Sequence, residues 1–171
     1  MTIQLPAAAL VVLVGPSGAG KSTFAALHFL PTEVLSSDAM RAMVADDPND
    51  QDATDAAFEL LHSALGFRLA RGRLTVVDAT NVEAWARAGL LAIAGRHGRR
   101  SFAIVFDLPL DVCLERNAAR SDRVLPARAI RRQHALMAAS LPALGQEGFA
   151  SVWRLADGDS VAAATVQRIG R

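Results

Sequence analysis

The chain has 171 residues, 51% of them apolar, and a formal net charge of +1. This predicts one globular domain over residues 1–171 with a full core, and excludes a disordered or fibrous chain. The near-zero charge excludes coating long nucleic acid by charge alone, but not a local basic site that grips a strand end.

Cys113 is the single cysteine, so no intrachain disulfide can form. It reads as a small buried apolar residue on a helix. There is no signal-peptide pattern and no apolar run long enough for a bilayer, so a cytoplasmic chain with no membrane partner is expected.

Residues 1–8 read as a short lead-in. The apolar run Leu10-Val11-Val12-Leu13-Val14 predicts a buried strand, and Ser22 to Phe29 the helix after it. Between them stands Gly15-Pro16-Ser17-Gly18-Ala19-Gly20-Lys21-Ser22-Thr23, which fits the phosphate-loop pattern at every fixed position. Its glycines let successive N–H groups face one concavity, and the helix start adds a positive dipole end. Lys21 is placed to reach the β- and γ-phosphates of a nucleotide such as ATP, and the Ser22 hydroxyl to ligate Mg²⁺. Lys21 is also the chain's only lysine. A compact ammonium stands where a phosphate needs one.

Pro31 ends the first helix, and Glu33-Val34-Leu35 reads as a second strand. Asp38 then falls at a strand's C-terminal end and at the N-cap of a helix over 39–44. Asp38 and Arg41 share a helix face by their spacing of three. They read either as a general base with a phosphate-forking arginine, or as a plain N-cap and a surface charge. The acidic stretch 46–52 reads as a solvated loop.

A long helix is predicted over 53–71, with Phe58, Leu61, Leu65 and Leu69 as its apolar stripe and Gly72 as its C-terminal cap. A third strand, 74–78, ends on Asp78. That residue reads as the carboxylate behind a magnesium-bound water, or as a cap of the turn that follows. Asp38, on the same sheet edge, is the other carboxylate candidate for the metal.

A helix over 82–96, a fourth strand over 102–106 and a helix over 112–119 capped by Asp111 come next. Arg116 and Arg120 share one face of that last helix, and Arg123 follows in a loop. Together they read as a lid that lowers guanidinium groups onto a transferring phosphoryl, or as a solvated helix end. A helix from Pro126 to about 141 and a last strand, 151–155, complete the pattern. Arg128, Arg131 and Arg132 read as surface, and Trp85 and Trp153 as core or half-buried packing. Residues 156–171 read as a C-terminal tail or linker with a weak helical turn. None of His28, His62, His97 and His134 has metal-ligand spacing.

The alternation of strands and helices predicts a parallel sheet covered on both faces. Three further segments carry a resemblance: Ser36-Ser37-Asp38, Asp78-Ala79-Thr80-Asn81 and Cys113-Leu114-Glu115-Arg116-Asn117. With the phosphate loop, Asn49-Asp50-Gln51 and Asp107-Leu108-Pro109, the chain resembles the kinase domain of bacterial polynucleotide kinase-phosphatases, the RNA end-healing enzymes. The resemblance implies a five-stranded parallel sheet of the phosphate-loop kinase type with an arginine-bearing lid. It implies transfer of the NTP γ-phosphate to the 5′-hydroxyl end of RNA or DNA. Asp38 would be the general base, Arg41 would hold the acceptor phosphate, and Lys21 and Ser22 would hold ATP and Mg²⁺. Arg116, with Arg120 and Arg123, would clamp the donor. Family members are often fused to phosphatase and ligase modules, whose residues are not found here, so a stand-alone enzyme and an excised domain are both consistent with this sequence. The acceptor could also be a small molecule, or the chain a nucleotide-gated binding module.

Overall fold

The structure is a computed structural model that describes residues 1–121 and 124–170. In chain order the elements are β1 (Thr2–Pro6), β2 (Ala9–Val14), α1 (Lys21–His28), β3 (Val34–Ser36), α2 (Ser37–Ala45), α3 (Thr54–Ala70), β4 (Thr75–Asp78), α4 (Ala84–Arg96), β5 (Arg100–Phe106), α5 (Leu110–Ala118), α6 (Ala127–Leu144), β6 (Ser151–Leu155), α7 (Gly158–Ala163) and β7 (Thr165–Ile169). A single 3₁₀ turn, Pro31–Glu33, precedes β3.

Five strands form one parallel sheet in the order β3-β4-β2-β5-β6. Every residue of β2 is buried, because a central parallel strand is covered on both faces. Its side chains alternate between two cores. Val11 and Leu13 join Phe24, Ile104 and Phe106 on one side. Leu10, Val12 and Val14 join Leu61, Leu65 and Leu69 of α3, Leu90 of α4 and Met137 of α6 on the other.

Register decides what meets at the C-terminal edge. Asp78 lies opposite Leu13 on one side and Ser36 on the other. The phosphate loop begins two residues beyond Leu13, and Asp38 lies two beyond Ser36. Three separate stretches of sequence are thereby delivered to one lip of the sheet, where open α/β sheets bind ligands.

Several expectations are corrected. The lead-in is a strand: Ile3 and Leu5 are buried, and β1 pairs in parallel with β7 over five residues. Within the expected tail, Gly158–Ala163 form α7 and Thr165–Ile169 form β7, the partner of β1. Nothing local in Thr165–Ile169 announces this, because the pairing partner lies at the opposite end of the chain. Helix α2 starts earlier than expected, and its N-cap is Ser36, whose Oγ accepts from the Ala39 N–H at 3.4 Å; Asp38 lies in the first turn instead. Asp111 lies likewise in the first turn of α5, after an N-cap at Pro109. Helix α6 runs through Pro142 to Leu144. Trp85 is 73% exposed rather than core. Trp153 does pack, stacked on Phe102 with ring centroids 5.8 Å apart. Phe58 is only half-buried and turns from the stripe toward the cavity described next.

Candidate active site

A cavity of about 1110 Å³ opens at the C-terminal lip of the sheet. Its wall includes Ser17, Gly18, Gly20, Lys21, Ser22 and Thr23 of the phosphate loop, Asp38 and Arg41 of α2, Asp78, and Arg116 and Arg120. The residues singled out by sequence therefore converge, with one exception: Arg123 lies outside the described residues. Gly15, Pro16 and Ala19, also of the loop, are buried and do not line the wall.

The loop's shape has a local cause. Gly18 and Gly20 take φ values of +83° and +94°, a region that other residues enter at a cost. Gly18 also passes so close to α5 that a β-carbon there would lie 2.2 Å from the Cys113 carbonyl oxygen. Glycine is needed twice over, for its dihedral and for its lack of a side chain. At the loop's entrance the Gly15 N–H donates to the Thr80 carbonyl at 2.9 Å.

Lys21 is 7% exposed. Its Nζ donates to the carbonyls of Gly15 and Pro16, each at 2.8 Å. Burial lowers its pKa from 10.5 to about 8, opposed by the charges of Asp78 and Asp38. Burial raises the Asp78 carboxyl above its ordinary value, opposed by Lys21 and by a hydrogen bond from Ser22. The site thus holds a cation and a carboxylate in a poorly solvated space, each moved toward its neutral form. A polyphosphate and a divalent cation would restore both charges.

Arg41 is buried, and its Nη1 donates to Asp38 Oδ1 at 2.6 Å while its Nε donates to Thr54 Oγ1 at 3.2 Å. The Asp38 side chain keeps 39% of its surface exposed. A fixed guanidinium therefore orients a carboxylate that solvent, or an acceptor, can still reach. On the far side of the loop, Arg116 runs between Gly20 and Gly158, its guanidinium 3.5 Å from where a β-carbon would stand at either glycine. Of the acidic loop 46–52, Gln51 lines the cavity. Asp47 and Asp50 instead accept from the N–H groups of Asn49 and Asp52, which tightens the turn.

Three contributors escaped sequence reasoning. Gln133 of α6 reaches the phosphate loop, where its Oε1 accepts from the Ser17 N–H at 2.9 Å. Helix α7 supplies Gly158, Val161 and Ala162 to the cavity wall. Arg87 is wholly buried, with Nε and Nη2 on the Glu147 carboxylate at 2.7 and 2.5 Å and Nη1 donating to the Asn81 carbonyl at 2.8 Å. It ties α4 to the turn after Asp78 and to the loop after α6, and its Nη1 also donates to Ser140 Oγ of α6 at 3.4 Å. Asn81 itself takes φ 47° and donates from Nδ2 to the Leu13 carbonyl at 2.8 Å. An Arg inside an otherwise apolar helix was the available signal for Arg87. Gln133 and α7 had none.

A parallel five-stranded sheet, a phosphate loop between its first strand and helix, and basic and acidic residues on one lip define a nucleotide-binding, kinase-like phosphate-loop domain. The chain belongs to the AAA_33 family, described as an AAA domain, whose pattern it matches over residues 10–144. No functionally curated protein matches the chain. Among solved structures it is similar to a chain of the Pnkp1/Rnl/Hen1 RNA repair complex (TM-score 0.69, 22% identity), over 81% of this chain but only 46% of that one. It is also similar to a gluconokinase from Sinorhizobium meliloti 1021 (TM-score 0.57, 20% identity), over 92% of this chain and 87% of that one. A third is the Mycobacterium tuberculosis APS kinase CysC in complex with AMPPNP and APS (TM-score 0.53, 25% identity), over 67% of this chain and 71% of that one. No described helix is long and apolar enough to cross a membrane.

Proposed function

We propose that the chain is a polynucleotide 5′-hydroxyl kinase that moves the γ-phosphate of ATP, or another NTP, to the 5′-OH end of RNA or DNA, in nucleic-acid repair. The observation that carries the reading is the Asp38–Arg41 pair facing the Lys21 loop across one cavity. That cavity is slightly larger than the roughly 300–1,000 Å³ that small-ligand sites span, which suits a nucleotide donor with an acceptor beside it.

In this reading Lys21 and the loop N–H groups hold the donor's terminal phosphates. Asp38 accepts the proton of the acceptor's 5′-hydroxyl as its oxygen bonds to the γ-phosphorus, and the bond from that phosphorus to the bridging oxygen of the nucleoside diphosphate breaks. Arg41 keeps the carboxylate aimed and forks onto the acceptor's own phosphate. Arg116 and Arg120 lie on the donor side and stabilise charge on the transferring group. The hard oxygens of Ser22 and Asp78, already hydrogen-bonded to each other, fit Mg²⁺. That ion, when bound, neutralises phosphate charge. Asp38, with one oxygen engaged by Arg41, serves the acceptor rather than the metal.

The test is ATP-dependent labelling of 5′-OH oligonucleotides. Asp38→Asn is expected to lower turnover by about 10² to 10⁴, the usual worth of a general base, with nucleotide affinity within about threefold of wild type. Tight ATP binding with no labelling of any 5′-OH oligomer would refute the reading.

A second reading has its own support. The gluconokinase similarity extends over nearly the whole of both chains, whereas the RNA-repair similarity spans less than half of its counterpart. A small hydroxylated acceptor such as a sugar acid would then occupy the Asp38 side. Labelling of gluconate in preference to oligonucleotides would select it.

A further inference from the structure

The opposite edge of the sheet, where the strands begin, carries a charge pattern that phosphoryl transfer does not use. Residues 60–77 contain Arg68, Arg71 and Arg73 and no acidic residue. Residues 84–106 contain Arg87, Arg96, Arg99 and Arg100 and again no acidic residue. Arg87 is spent inside on Glu147. The other six lie around the loops that lead into β4 and β5. Those loops converge because both strands flank β2. At Gly72 a β-carbon would stand 3.4 Å from Arg99 Nη2, which shows how closely the two loops approach.

Among the described residues, none of the six makes an ion pair. Arg68 and Arg99 are anchored instead on neutral groups: Arg68 on Thr75 Oγ1 and the Leu74 carbonyl, Arg99 on the Leu69 carbonyl. Arg71, Arg73, Arg96 and Arg100 are exposed. Glu147 and Glu33 are held elsewhere, by Arg87 and Arg168. Attraction to helix C-termini accounts for Arg68, Arg71 and Arg96. It extends to Arg99, whose Nε donates to the Leu69 carbonyl in the last turn of α3, while Arg100, the first residue of β5, lies over the Phe102 ring at 5.3 Å; neither contact accounts for Arg73.

Beside the cluster, the ends of α3 and α4 enclose a groove of about 500 Å³ lined by His62, Gly66, Phe67, Ala70, Ile93 and Arg96, among others. Phe67 is 74% exposed at its rim. Guanidinium forks matched to phosphates, next to an open aromatic ring that any base can stack on, are the two parts of a single-strand binding surface.

We propose that this arginine-rich edge, with Phe67 and its groove, is a docking surface for single-stranded nucleic acid, separate from the phosphoryl-transfer cavity. Charge complementarity selects a polyanion, and the exposed ring selects unpaired bases over an acidic peptide or an anionic membrane. Helix α3, 17 residues long, runs from the Arg41 partner Thr54 to this edge, which sets the two sites roughly 25 Å apart. The surface does not depend on which acceptor the cavity takes.

The probe is a 3′-fluorescein, 5′-phosphorylated oligo(dT) of about 20 nucleotides, read by anisotropy without nucleotide. It cannot accept a phosphoryl group at its 5′ end, so its binding is judged apart from the kinase reading. Wild type and Lys21→Met are expected to bind it equally. Replacing Arg71, Arg73, Arg96 and Arg100 together by Ala should reduce the slope of log K against log salt by about 3 and weaken binding several hundred-fold near 0.1 M salt. Arg73→Ala or Arg100→Ala alone should each lower the slope by about 0.7, which keeps the test intact if the quadruple variant fails to fold. Phe67→Ala should cost roughly tenfold. Unchanged slopes in the single variants would overturn the proposal. So would displacement of the oligomer by poly-glutamate, or by phosphatidylserine vesicles, at equal charge concentration.

Discussion

Lys21→Met should abolish nucleotide binding and yet make the protein more stable. The buried ammonium titrates at about 8 in the fold and at 10.5 when unfolded. The unfolded chain therefore binds more protons between those values, and the stability of the wild type rises with pH across that window. Linkage puts the cost of holding the charged lysine at about 3 kcal/mol at pH 7 and about 1 kcal/mol at pH 10. Against this, the variant leaves the Gly15 and Pro16 carbonyls without their donor, worth about 1 kcal/mol because the cavity lets water reach them. The net gain at pH 7 is about 2 kcal/mol. With an unfolding entropy of about 0.36 kcal/mol/K for a chain of this length, Tm should rise by about 6 °C. Thermal unfolding followed by circular dichroism, without ligand, gives the comparison at pH 7 and pH 10. Titrating groups that do not interact with Lys21 cancel between the two proteins. The advantage of the variant should disappear or reverse at pH 10. A variant less stable than wild type at pH 7, or a gap that does not change with pH, would refute the reasoning. The same charge recovers its value when a polyphosphate arrives, so the site is destabilised in order to bind.

Arg87→Met should be among the most damaging single substitutions away from the loop. It strands the Glu147 carboxylate and the Asn81 carbonyl, at a cost of about 3–5 kcal/mol, and Tm should fall by roughly 10 °C. The double variant Arg87→Met, Glu147→Leu should recover much of the loss; no recovery would mean that the charge pairing is not the cause. Gly18→Ala should both weaken nucleotide binding and lower Tm, because its methyl group meets the Cys113 carbonyl at 2.2 Å in a backbone region already unfavourable for alanine. Isothermal titration with ATP and a thermal melt check this, and wild-type values in both would contradict the close approach of α5. By contrast, Trp85→Ala should shift stability by less than about 0.5 kcal/mol, since the ring is exposed.

What the amino-acid order determined by itself is local. The run 10–14 reads as a buried strand, and the glycine spacing after it as an anion loop, because both readings rest on near-neighbour chemistry. Asp38, Asp78 and the start of the loop each read as lying at strand ends, so their meeting at one lip follows once a parallel sheet is assumed. What tertiary structure alone decided depends on contacts distant in the chain. The pairing of β1 with β7 joins residues 163 positions apart, and neither segment is apolar enough to declare itself. Arg87 became a core residue because the loop after α6 returned Glu147 to it from 60 positions away. Gln133 reached the loop across 116 positions. The outward turn of Trp85, and the gathering of six arginines at the edge remote from the phosphate loop, likewise came from how helices and loops pack rather than from any periodicity. Short-range pattern specifies which elements form; the burial and pairing that select between a core and a surface role arise only when those elements are brought together.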